Sequence, residues 1–419
     1  MGNKNSLLKK GPNSTFRGGD NTHLNACVGE NGLPGYHEYS KGYSTAALAL
    51  IEQATRDPHL SIDHLVYPIC FSIRHSVELR LKHAIKRLEK LYQLWAILTK
   101  DPTLGFKYES THNLSNIWLF LKKHAGAFRN EFCSYLDPID YLISNISQVD
   151  QTGQVFRYPM NQANRRHLSS ISLINLEVLK QDFERLDRGL VELEDYIETL
   201  IAEYQLSTFT RHMARRDLCE LADSLPKLED WSNYKDLKPI LQKKFGISSN
   251  EIGKSIDKIK RNRFLASKLG IENPLLGLQD RTLIRLCKKI SEINNGDGTT
   301  NYRIASSQQL GITAAIEANI NREEVIINVS RTLTNEEIAG IHSLYYLGQG
   351  ALECEHYESL YESELELLKK SDRPIEKAIH VLKKTNFIYC VEHALDQIGR
   401  SPLKVEIAQN NKPKATYTR

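Results

Sequence analysis

One stretch of this chain, Tyr67–Glu89 (YPICFSIRHSVELRLKHAIKRLE), limits what the rest can become. Its apolar residues Ile69, Phe71, Ile73, Val77, Leu79, Leu81, Ile85 and Leu88 recur at mixed three- and four-residue steps, the period of a helix. The same segment carries Arg74, His75, Glu78 and Lys82. Residues four apart share one side of a helix, so Arg74, Glu78 and Lys82 line up as a charge ladder. Charges buried without partners are costly, so the ladder is either solvated or set inside a polar site.

The surrounding sequence reads as mainly α. Residues 1–40, rich in Gly, Asn and Ser, predict a mobile arm. A short helix over Tyr43–Thr55 is ended by Asp57-Pro58. The charged helix runs on to Leu98, before Asp101-Pro102 and Gly105 break it. Thr111 reads as the N-cap of a helix over Leu114–His124, and Asp137-Pro138 introduces another through Ser147. A polar loop, 150–167, holds Phe156-Arg157-Tyr158-Pro159 and the basic cluster Arg165-Arg166-His167. Ser169 to Tyr204 then reads as one long helix and completes a bundle of about five helices over 41–205.

Beyond Leu206 the helices shorten. In region 206–293, LKPILQKKFGISSNEIGKSIDKIKRNRF (237–264) outlines a helix, a glycine turn and a second helix. The turn-forming NNGDGTT at 294–300 opens a C-terminal, mostly α region, 294–408. Tyr302–Ala305 and Glu324–Val329 are β-branched or alternating and leave room for a small β hairpin. Thr334-x-x-Glu337 is a capping box for a helix over 335–347. Helices follow near 353–370 and 375–397, and a basic tail ends the chain at 409–419.

Bulk properties exclude several classes. No run of 18 apolar residues exists, so no transmembrane helix is expected and no membrane partner. The 55 basic and 51 acidic side chains nearly balance at +4, which neither demands nor rules out nucleic acid. Seven cysteines are scattered without CxxC pairs, suiting buried thiols in a reducing cytoplasm. The first residues lack the apolar core of a secretory signal. There is no Walker A loop, no GxGxxG after a strand and no GxSxG elbow, so no cofactor is expected.

The ordered elements YPIxFxxRHxxELxLK, Thr-His-x-Leu and FRYP resemble the HEPN superfamily of small helical domains, over about residues 40–200. That resemblance implies a bacterial effector of phage defence or a toxin system, acting as a metal-independent endoribonuclease on RNA, and a homodimer or higher homo-oligomer. Met1-Gly2-Asn3-Lys4-Asn5-Ser6 satisfies an N-myristoylation pattern, but a bacterial source would not use it. The family's catalytic device is Arg-x(4–6)-His on the last bundle helix. Here Arg17/His23 and Arg373/His380 have that spacing, and neither lies in 169–204. This departure leaves two alternatives: a non-catalytic dimerisation scaffold for a defence or antitoxin partner encoded nearby, or a nucleic-acid-binding regulator acting through 237–263.

Candidate site residues follow. Arg74 and His75 stand in for the missing pair, one for phosphate and one for proton transfer. Glu78 and Lys82 would orient them, with His112 and Arg157 brought near by the fold. The bland alternatives are an intrahelical ion-pair ladder, a turn histidine and a loop-pinning arginine. Arg165, Arg166, Lys254, Lys258 and Arg261 are candidate phosphate contacts, or a solvated basic face. Cys354/His356 and Cys390/His393 are zinc-ligand types in unsuitable spacing, so no metal is expected.

Overall fold

The computed structural model describes residues 13–99, 108–295, 320 and 322–410. The chain is mainly α: among the described residues there are sixteen α-helices and no sheet. The β geometry there is an isolated antiparallel bridge between Met160 and Arg166. The chain divides into two compact units, Met1–Ile201 and Ala202–Arg419.

In the N-terminal unit, α1 (Tyr36–Arg56) begins where the Glu38 carboxylate accepts the Gly35 N–H at 2.6 Å. It packs along α2 (Ile62–Thr99). The remaining bundle helices are α3 (Leu114–Phe128), α4 (Cys133–Val149) and α5 (Leu176–Gln205). α2 is the central element: between Ile69 and Ile85 every residue is buried except Phe71, His75 and His83. A helix covered on nearly all sides has no solvated face on which to place its charges. Leu186, Leu193 and Ile197 on α5, Ile117 and Leu121 on α3, and Ile143 on α4 are buried with it.

Three expectations for this unit need adjustment. The arm is shorter, because α1 starts at Tyr36. The N-cap of α3 is Asn113, whose side chain accepts the Asn116 N–H at 3.0 Å. Thr111 stands two residues back and accepts the Asn113 N–H. Residues 169–175 are loop: Asn175 Oδ1 takes the N–H groups of Glu177 and Val178, so its side chain opens α5 where unbroken periodicity suggests none.

In the C-terminal unit, α6 (Arg215–Ser224), α7 (Tyr234–Phe245), α8 (Ser249–Arg261) and α9 (Arg263–Lys268) surround Leu218, Leu221, Leu241, Ile252, Ile256 and Leu265. The turn between α7 and α8 needs Gly246, whose φ of +64° is unfavourable for a residue with a Cβ. A second core gathers α10 (Asp280–Asn295), α11 (322–330), α12 (Asn335–Leu347), α15 (Phe387–Gln397) and α16 (Ser401–Asn410). α13 (Tyr357–Lys369) and α14 (Pro374–Leu382) pack on α12.

The strand expected at Glu324–Val329 is helical. Ile326 and Val329, three apart, are both buried against this core, and that tertiary burial overrides the β preference of their side chains. Tyr302–Ala305, Asp101-Pro102, Gly105 and residues 296–300 lie outside the described residues. The helix expected over 375–397 is two, interrupted between Leu382 and Phe387. The capping box at Thr334 and Glu337 is present, with reciprocal bonds of 3.0 and 3.2 Å.

Candidate functional site

The charge ladder of α2 is neither solvated nor open. Arg74 is 1 % exposed, Glu78 2 % and Lys82 3 %. Arg74 donates to the Glu78 carboxylate, to the carbonyls of Asp150 and Gln151 at 3.1 Å each, and to the carbonyl of His112. Glu78 Oε1 receives Lys82 Nζ at 2.9 Å and faces His112 Nδ1 at 2.9 Å. Lys82 also donates to the Glu109 carbonyl at 3.2 Å. Burial alone would raise the Glu78 pKa, but hydrogen bonds from Lys82 and Arg74, the Arg74 charge and the His112 contact together hold it below the usual carboxylate value.

The cluster binds three pieces of backbone together. Leu114 N–H at the start of α3 donates to the Gln151 carbonyl at 2.9 Å, so the approach to α3 and the exit from α4 meet at the Arg74 guanidinium. Asp150 shapes that exit: its Oδ1 accepts the N–H groups of Gly153 and Gln154 at 2.8 and 2.9 Å, and of Val155 at 3.3 Å. Gly153 has φ +78°, and a Cβ there would sit 3.3 Å from Arg74 Cζ. Asp150 and Gly153 escape a search for catalytic residue types. The available signal is D-Q-T-G, an Asp followed three residues later by Gly at a helix end.

His75 and Arg157 belong to a different constellation. His75 stacks on Phe71 with ring centres 5.5 Å apart and meets Tyr43 edge-on at 4.6 Å. Burial lowers its pKa, against the opposing charge of Glu78, and so favours the neutral ring. The Arg157 guanidinium lies 5.6 Å from the Phe71 ring centre and 5.4 Å from that of Tyr158. Of the six α2-centred candidates, the structure thus joins Arg74, Glu78, Lys82 and His112, and separately joins His75 to Arg157 through Phe71.

Arg157 lines a wide groove of about 950 Å³, together with Tyr67, Tyr158, Arg166 and His167. Arg165 is exposed on the loop beside it, which Asn161 closes by accepting the N–H groups of Ala163 and Arg165 at 2.9 Å.

In the C-terminal unit, Lys254 and Arg261 are exposed on α8 and Lys258 is half-buried, its pKa lowered by burial and then by Arg261. Among the described residues, no group of three or more His, Cys, Asp or Glu side chains is arranged to hold a metal ion. Cys354 is engaged with Asn262 and Glu355, and His393 Nδ1 lies 3.0 Å from the Gly348 carbonyl. No described helix is long and apolar enough to cross a membrane.

Comparison of the chain with family models, curated proteins and solved structures finds no match.

Proposed function

We propose that the N-terminal unit is a non-catalytic, HEPN-like interaction scaffold, pairing with a second copy of the chain or with a defence or antitoxin partner encoded nearby. The supporting observation is the commitment of Arg74. Four of its five N–H donors go to Glu78 and to three backbone carbonyls of its own bundle, and its burial keeps a phosphate from reaching it. α5, where the family would carry its catalytic pair, contains no histidine. A reducing cytoplasm is part of the same reading and suits seven free cysteines.

The ribonuclease reading keeps one specific support: a histidine whose burial favours the proton-accepting neutral ring and an arginine share the Phe71 ring beside an open groove. Incubation of the purified chain with total RNA or tRNA in the presence of a chelator separates the two. The scaffold reading expects no cleavage and a molar mass above that of one chain, alone or with the neighbouring gene product. Cleavage lost in His75→Ala or Arg157→Ala replaces it with the ribonuclease reading.

A further inference from the structure

The Arg157 groove adjoins a second space. Its wall residues Phe156, Ile171, Leu173 and Ile174 also line a smaller cavity of about 350 Å³, formed with side chains of α2, α4 and α5. That cavity is faced mainly by apolar groups, among them Ile73, Leu142, Ile146, Leu179 and Phe183. Its polar lining adds little: Asn175 caps α5, Asp182 lies 3.7 Å from Arg185, Asn145 is at the surface, and Arg74 is committed as described.

Two further features point to what fits. The rim leaves apolar groups in water: Leu173 is 90 % exposed and Val178 58 %. Exposed apolar surface around a preformed cavity marks a binding site. The Arg157 groove has the opposite character. Arg157 and Arg166 line it, with Asp63 as the one acid among its lining residues, and His167 Nε2 is buried without a hydrogen-bond partner.

We propose that these two adjoining spaces bind a single-tailed anionic amphiphile. The tail fills the smaller cavity, and a carboxylate or phosphate head lies at Arg157 and Arg166. A methylene takes about the volume of a water, ~30 Å³, so the smaller cavity admits a tail of roughly eight to twelve carbons. Ligand binding here is independent of whether the bundle cleaves RNA or pairs with a partner.

Calorimetric titration of the full chain, below micelle formation, tests this with octanoate, decanoate, dodecanoate, decyl phosphate, decanol, decylamine and inorganic phosphate. Affinity is expected to rise about fourfold per added methylene until the cavity is full. Decyl phosphate against decanoate then tells which head group is preferred, and inorganic phosphate alone gives no heat. Ile174→Trp removes the dependence on tail length. Arg157→Gln/Arg166→Gln weakens decanoate about tenfold and leaves decanol unchanged. Absence of decanoate binding, equal affinity for decylamine, or unchanged affinity in both variants overturns the proposal.

Discussion

Arg74 holds the start of the loop that carries Arg157, and the two arginines have opposite surroundings. Around Arg74, three carbonyls and a carboxylate converge, and the side chain is sealed in. Around Arg157, two aromatic faces offer support but no acceptor, and the guanidinium stays exposed beside a groove. The same residue type is therefore a fastener in one place and an available cation in the other. What decides is whether the backbone nearby turns carbonyls toward the guanidinium. His112, two residues before α3, and Asp150 and Gln151, just past α4, do so at Arg74.

The difference can be broken most forcefully at Arg74. Arg74→Met leaves Glu78 to Lys82 and His112 and takes a donor from three carbonyls, of which Gln151 keeps the Leu114 N–H; removing one partner of a buried ion pair costs about 3–5 kcal/mol. Denaturant unfolding followed by hydrogen exchange of α2 amides would register this, and Glu78→Met in the same chain should recover little of it, since buried Lys82 then loses its carboxylate.

A next test uses a buried acid in the same bundle that is not fully paired. Glu194 has one oxygen 3.8 Å from His37 Nδ1 and the other buried without a hydrogen bond. Burial, opposed by the Arg80 charge, raises its pKa to about 7. The folded chain then holds a proton that the unfolded chain has released. Stability contributed here is greatest below about pH 4.5 and declines as pH rises to about 7, by roughly 3 kcal/mol. Glu194→Gln should flatten that slope and raise the melting temperature at pH 8. A melting temperature at pH 8 equal to that of wild type would mean that the carboxylate finds compensation in solution.

Smaller effects sharpen the contrast. Gly153→Ala forces a Cβ onto the guanidinium at an unfavourable φ, a loss of about 1–3 kcal/mol by chemical denaturation. Arg166→Gln, on the open side, should change stability by less than about 0.5 kcal/mol while altering binding in the groove. A large destabilisation there would make Arg166 a fastener too.

Much of the helical framework was legible because its apolar spacing is regular. The α2 ladder was visible as three residues four apart, and the end of the helix followed from the breakers Asp101-Pro102 and Gly105. Whether the ladder was wet or dry was not legible, because that depends on α2 being wrapped by its neighbours, a property of the assembled bundle. The division of the candidates into two groups was hidden for the same reason: Arg74 and His75 are adjacent in sequence but about 100° apart around the helix. Glu324–Val329 misled because β-branched residues carry a strand preference that two buried contacts suffice to reverse. The pinning of the Asp150 turn was missed because its acceptors are main-chain atoms, which no residue pattern names.

Gly153 resting on the Arg74 guanidinium has one more consequence. Three residues later comes Phe156, which forms part of the wall of both cavities. The wall shared by the two cavities thus lies one short stretch of chain from the knot that joins the start of α3 to the exit of α4, so a displacement at either place has little backbone in which to relax.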